Sequence, residues 1–268
     1  MITFFFLGAL LGVLVAYSAW RLHALNRSGA WAAAIVGALI FGLGGFPWAL
    51  LLLLFFISSS VLSKVFNRRK AALSEKFSKG SQRDWGQVFA NGGLGALLAV
   101  VNGFFPESIW PWIAFAGAMA AVNADTWATE LGVFSSTQPR LITDGRSVER
   151  GTSGGVTILG YIAALGGAVL VGVVAVPFTR SMDAFALVLF IALAGLSGST
   201  FDSFLGATVQ AIYYCPHCQK DTERHPVHTC GEQTKQVRGW RWLNNDLVNF
   251  FCSIVGGLVA IGLWMLFV

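Results

Sequence analysis

Apolar residues fall in long blocks along this chain, separated by short polar breaks. A helix crosses ~30 Å of hydrocarbon with about 20 residues. On that measure the pattern predicts eight spans, roughly 2–20, 30–45, 47–66, 86–105, 109–134, 154–178, 183–213 and 244–268. The second and third meet at "GGFPW", residues 44–48, which reads as a tight turn between two short spans or a kink in a re-entrant hairpin. Lipid-exposed irregular backbone is excluded there, because its polar groups would find no partner.

Charge tests the count of eight. Arg21 and Arg27, then Lys64 through Arg83, then Arg140 to Arg150, then Lys220 to Arg241 mark four alternate breaks that hold every Lys and Arg except Arg180. The intervening breaks, near Gly45, Glu107 and residues 180–183, are almost free of positive charge. The positive-inside rule then makes the basic loops cytoplasmic and puts both termini outside a plasma (inner) membrane. No basic segment or small-residue cleavage site precedes Arg21, so the first span reads as retained and not as a signal peptide.

Composition agrees. With 55% hydrophobic and 12% charged residues, and a mean hydropathy of +0.66, the chain cannot clothe a soluble globule, which carries roughly a quarter charged residues. A soluble enzyme, a disordered protein and a disulfide scaffold are excluded. The expected architecture is an all-α polytopic membrane protein, one transmembrane domain of about eight helices over 1–268, with a small cytoplasmic zinc-like loop at 213–243 before the last helix. The basic loops read as topology determinants or phosphate contacts, not as a nucleic-acid surface.

Against that apolar background the carboxylates stand out, since a charge at membrane depth costs about 2.5–3.5 kcal/mol even on the lenient insertion scale. Asp125 and Glu130 lie in "NADTWATELG", Asp202 in "GSTFDSFLGATVQ" and Asp246 in "WLNNDLVNF", while Asp84 opens the fourth span. By the predicted topology all five sit near the cytoplasmic leaflet, with no Lys or Arg in the span cores beside them. Helical spacing adds polar neighbours: Asn123 and Thr126 with Glu130, Gln87 and Asn91 with Asp84, Ser199 with Asp202, and Asn245 with Asn249. Interhelical hydrogen bonds are the plainer account of such stripes. Carboxylates gathered at one depth call in addition for a cation, and oxygen-only ligands suit Mg²⁺ shared with substrate phosphates.

Two further elements carry chemistry. In "LITDGRSVERGTSGGVTILG", Arg146 and Arg150 precede Gly151, Thr152, Gly154 and Gly155. This run is expected to open the sixth helix, with Thr152 or Ser153 as N-cap and free N–H groups facing a phosphate. It is not a Walker A loop, since no Gly-Lys-Ser/Thr follows. "YYCPHCQKDTERHPVHTCGE" sets Cys215, Cys218, His228 and Cys230 in C-x-x-C and H-x-C pairs, with His217 and His225 as possible substitutes. That spacing suits a closed structural Zn²⁺ site, and a cytosolic loop should not be disulfide-bonded.

The segments "SQRDWGQVFANGG" (81–93), "NADTWATELG" (123–132), "GTSGGVTILG" (151–160) with "DSFLGATVQ" (202–210), and "NNDLVN" (244–249) resemble the family of multispanning membrane proteins that includes plant phytyl-phosphate kinase. The resemblance covers most of the chain. It departs from the family at Ser199-Thr200-Phe201, where relatives often carry Gly-Asn before the Asp, and some relatives lack the Cys/His loop. It implies a kinase that phosphorylates an isoprenoid monophosphate, such as phytyl or another prenyl phosphate, from a nucleoside triphosphate such as CTP. In that reading Asp125, Glu130, Asp202 and Asp246 hold Mg²⁺, and Arg83, Arg146 and Arg150 with the glycine loop cradle phosphates. The alternatives are a proton- or cation-coupled transporter of a lipid phosphate or small anion, and a scaffold whose Cys/His loop docks a partner.

Overall fold

The computed structural model describes residues 2–70, 76, 82–180 and 182–267, and the side chains of 2–4 and 67–70 are outside that description. Half of the basic break from Lys64 to Arg83, residues 71–75 and 77–81, therefore lies outside the described residues. Eight α-helices follow one another: α1 (Ile2–Arg21), α2 (Arg27–Leu39), α3 (Phe46–Lys70), α4 (Trp85–Phe104), α5 (Trp110–Gly132), α6 (Ile158–Ala175), α7 (Ala184–Thr208) and α8 (Asn245–Met265). Among the described residues six segments are long and apolar enough to cross a membrane, in α2 with its π-helical continuation, α3, α4, α6, α7 and α8.

Of the two remaining helices, α1 and α5, the longer α5 is the hub. It packs against α3, α4, α6, α7 and α8, and every residue from Pro111 to Ala124 is buried. A helix apolar all round belongs inside a bundle, and here half of the buried stretch is alanine and glycine, which lets neighbouring backbones come close. Gly198 on α7 shows how close: a Cβ there would lie 2.7 Å from the Cys252 carbonyl of α8 and collide with Ala121 of α5.

Caps explain where helices begin. Asn26, Thr157, Asp183 and Asn244 each accept a backbone N–H from the first turn of α2, α6, α7 and α8, removing one of the four orphan donors that a helix start leaves. Asp84 and Gln87 form a reciprocal capping box on α4. The "GGFPW" segment is a turn: a short π-helix, Ile40–Gly44, ends at Gly45 with φ 78°, a left-handed value that glycine adopts without penalty. Aromatic rings of Trp48, Trp112, Phe115 and Phe178 fill this pole of the bundle.

Three expectations change at the other pole, where the basic breaks gather. The glycine-rich run does not open α6. It turns through Gly151 (φ 78°) and Gly154 (φ 82°) into β2 (Gly155–Val156), which pairs antiparallel with β1 (Arg140–Leu141). Neither Thr152 nor Ser153 caps α6, because the helix starts later, behind Thr157. The seventh span stops at Thr208, not near 213, because Ile212 and Tyr213 are strand residues. The Cys/His segment, expected as a loop, is a three-stranded antiparallel sheet in the order β4 (Lys220–Thr222), β3 (Ile212–Cys215), β5 (Lys235–Arg238).

Candidate functional site

A cavity of about 370 Å³ opens at this pole between α5, α6, α7, α8, the glycine hairpin and the start of α4. Its lining brings together Asp125, Glu130 and Asp202 with Arg83, Asn91, Thr126, Arg150, Gly151, Thr152, Gly154, Gly155, Ser199, Asn245 and Asn249. Helix geometry explains the grouping. Asp125, Thr126, Thr129 and Glu130 share the inner end of α5, and Asn245 and Asn249 stand one turn apart on α8.

Each acid is held differently. Glu130 is buried, and its Oε1 accepts from Ser63 Oγ of α3 at 2.8 Å. Ser199 Oγ donates to Asp125 at 3.4 Å, a long contact. Asp202 lines the cavity together with Asp125 and Glu223, and its buried Oδ2 has no hydrogen-bond partner among the described residues. A buried carboxylate oxygen without a donor carries a desolvation cost; a cation beside it would remove that cost. Asp125 and Asp202 with Glu130 therefore fit Mg²⁺ by donor chemistry.

Arg83, which lies outside the helices just before α4, brings a cation to these acids. Its loop pairs with the α1–α2 connection, Arg83 N to the Ala24 carbonyl and Asn26 N to the Arg83 carbonyl, both at 3.0 Å. The guanidinium lies 5.5 Å from the Phe55 ring centroid and 5.4 Å from that of Phe56, and donates to Ser59 and Ser60 at 2.8 and 3.1 Å. Burial pushes its pKa down to about 10, against the opposing field of Glu130, so it remains a cation at neutral pH. Arg150 reaches the cavity from the glycine hairpin, braced by donation to the Ser135 carbonyl at 2.7 Å.

Four expected site residues lie elsewhere. Asp84 is spent on the α4 capping box. Asp246 sits in the first turn of α8, one residue and so about 100° round the helix from Asn245, off the face that meets the cavity. Asn123 is buried in the bundle, where it donates to the Gly167 carbonyl at 2.8 Å and accepts from Ser58 at 3.0 Å, so it joins α5 to α6 and α3. Arg146 is exposed at the hairpin tip, 3.4 Å from Asp144. Asp84 and Asp246 thus do not join the other three acids. The glycine run is a weaker cradle than expected, since the Thr152 and Gly155 N–H groups bond to the Glu149 and Thr152 carbonyls.

The cavity also holds Ser63, Gln87, Thr129, Tyr161, Ser203 and Glu223. Gln87 is one of the polar neighbours that helical spacing pointed to, and Thr129, one turn from Asp125 on α5, shares a face that spacing could have found. Glu223 carries no sequence signal, because it arrives from the Cys/His sheet. In that sheet the ligand atoms of Cys215, Cys218, His228 and Cys230 lie within 4.8 Å of one another. His225 instead stacks on Tyr213 at 4.4 Å.

A second, apolar cavity of about 60 Å³ lies between α1, α2, α3 and α4, walled by residues such as Leu52, Phe55, Phe56 and Val36. It shares Arg83, Gln87 and Asn91 with the polar cavity.

Fold and site together define a polytopic membrane protein with an acidic, arginine-bearing cavity at one pole of its bundle. The chain belongs to the integral membrane protein DUF92 family, which it matches over residues 10–257. It is 35% identical to "Protein PGR" of Arabidopsis thaliana over 88% of each chain. It is 30% identical to an uncharacterised membrane protein of Methanocaldococcus jannaschii, over 88% of this chain and 84% of that one. An uncharacterised membrane protein of a Synechocystis strain is 25% identical over 85% and 78% respectively. No solved structure matches the chain.

Proposed function

We propose that this protein is a membrane phosphotransferase that moves a phosphoryl group from a nucleoside triphosphate, CTP by the family resemblance, to an isoprenoid monophosphate at the cytoplasmic face. The observation that carries this reading is the junction of two cavities. Arg83, Gln87 and Asn91 face both the acidic chamber and the small apolar slot, so an anionic head in the chamber would stand where the first carbons of its hydrocarbon chain meet apolar wall, the rest of the chain lying in the bilayer. The larger chamber, about 370 Å³, lies within the range of small-molecule sites.

Asp125, Asp202 and Glu130 would hold Mg²⁺, which when bound supplies charge neutralisation for the donor phosphates. The chain's own side chains do the rest. Arg83, fixed by two serines and two aromatic rings, binds the acceptor phosphate, and Arg150 orients the donor from the hairpin. The acceptor is already ionised at neutral pH and attacks the terminal phosphorus, while the bond to the bridging oxygen breaks and nucleoside diphosphate leaves. No strong general base is needed, so alignment and electrostatics carry the rate.

A coupled transporter would use the same acids, but the opposite pole is filled by Trp48, Trp112 and Phe115, which favours chemistry at one face. The test is a screen of prenyl monophosphates against four nucleoside triphosphates with Mg²⁺, using protein in nanodiscs. Prenyl diphosphate should form for at least one pair. Absence of any product, together with cation-driven uptake of phosphate into proteoliposomes, would replace the kinase with the transporter.

A further inference from the structure

The Cys/His sheet is tied to the acidic cavity. In a tetrahedral site with Zn–S of about 2.3 Å and Zn–N of about 2.0–2.1 Å, neighbouring ligand atoms stand about 3.4–3.8 Å apart. Here Cys215 and Cys230 sulfurs are 3.5 Å apart, Cys218 Sγ is 3.6 Å from His228 Nδ1, and that nitrogen is 3.3 Å from Cys230 Sγ. The Cys218 N–H points at Cys215 Sγ over 3.5 Å, a contact that favours thiolate. All four cysteines of the chain are free.

Three short strands over 212–238 cannot hold themselves together by packing, since β4 and β5 bury almost nothing. One side of the sheet is fixed to the membrane bundle, where Arg238 donates to the Gly206 and Ala207 carbonyls at 2.6 and 2.9 Å. On the other side β4 leads directly to Glu223, which lines the acidic cavity. Glu223 accepts from Gln210 Nε2 at 2.9 Å, and the buried Gln210 accepts from Ser153 of the glycine hairpin at 2.7 Å.

We propose that Cys215, Cys218, His228 and Cys230 bind a structural Zn²⁺ that clamps β3 to the 228–230 turn and thereby holds Glu223 in the cavity as its fourth carboxylate. Filling of the thiolate site then sets the affinity of the oxygen site for its divalent cation. The second half rests on the cavity reading above. The zinc half does not.

The experiment uses the full chain in detergent, with zinc counted by elemental analysis, thiols counted by colorimetric titration and the cavity probed by Mn²⁺ resonance titration, Mn²⁺ sharing the oxygen preference of Mg²⁺. Wild-type protein should carry one zinc per chain and bind Mn²⁺. Glu223→Gln should keep its zinc, which reports an intact sheet, and bind Mn²⁺ about tenfold more weakly. Cys215→Ser with Cys230→Ser should lose both zinc and Mn²⁺ affinity. No zinc in protein whose thiols are all reduced overturns the clamp, and so does equal Mn²⁺ binding with Glu223 and with Gln in its place. Wild-type protein that holds zinc but never Mn²⁺ overturns the cavity reading and, with it, the coupling, while leaving the zinc site standing.

Discussion

Ser63 Oγ donates a 2.8 Å hydrogen bond to Glu130 Oε1, fastening α3 to the inner end of α5. Since Glu130 is buried, losing this donor has a definite cost. Ser63→Ala should lower stability by about 1 kcal/mol, read as a fall in thermal midpoint in detergent. Glu130→Gln should cost little stability, because an amide can still meet Ser63, yet reduce phosphoryl transfer at least tenfold.

The acids divide into two groups by position. Asp202→Asn or Asp125→Asn should reduce transfer by about two orders of magnitude, the scale for losing one electrostatic contact to a reacting phosphate. Asp84→Asn and Asp246→Asn should stay near wild type, since neither side chain lines the cavity. Asp84→Ala should cost about 1 kcal/mol of stability through loss of the α4 cap. Steady-state rates beside melting curves check both halves, and an inactive Asp246→Asn variant would return that residue to the site.

Arg83 is defined by its planar contacts. Two rings and two serine hydroxyls fit a guanidinium, and an ammonium cannot keep all four. Arg83→Lys should therefore raise KM for prenyl phosphate about tenfold or more while leaving KM for nucleotide nearly unchanged. Equal shifts in both constants would argue against an acceptor-side role.

Lys76 Nζ donates to Glu149 Oε2 at 2.7 Å, and that hydrogen bond, followed by the lysine's charge, holds the Glu149 carboxyl below its usual range. A lowered folded pKa means that the contribution is present above the ordinary Glu value, about 4.3, and fades as pH falls through the folded value. Glu149 is mostly exposed, so the effect is small and screened by salt. Glu149→Gln should lower the thermal midpoint slightly at pH 7, by an amount that shrinks as pH falls below the ordinary Glu value; a difference that does not shrink on acidification would contradict the pairing.

Much of this architecture was legible in the sequence. Apolar blocks of helical length have one outcome in a membrane, so the eight helices follow from the pattern with ends shifted by a few residues. The shifts have causes. Ile212 and Tyr213 are apolar enough to extend a span but enter a strand, and "GTSGGV" bears cap-forming residues yet turns through two left-handed glycines before Thr157 caps α6. For the site, the predicted topology put Asp125, Glu130 and Asp202 at one depth, and the structure brings these three to one cavity, although Asn123, grouped by spacing with Thr126 and Glu130, is not among its lining residues. Depth alone could not say which face each helix turns toward the cavity, and on that point Asp246 and Asn123 miss it, while Arg146 misses it because it sits at an exposed hairpin tip. Glu223 was invisible because polar strands of three or four residues leave no periodicity to read.

In the proposed site, carboxylates from separate helices grip one divalent cation where phosphates bind. Calorimetric titration of Mg²⁺ into the purified protein with a non-hydrolysable CTP analogue present tests it most directly, with wild type beside the Asp125→Asn, Asp202→Asn double variant. Wild-type protein should bind Mg²⁺ stoichiometrically, more tightly with the analogue present, and the variant should bind it at least a hundredfold more weakly. Identical Mg²⁺ isotherms for the two folded proteins, or none for either, would contradict this assignment.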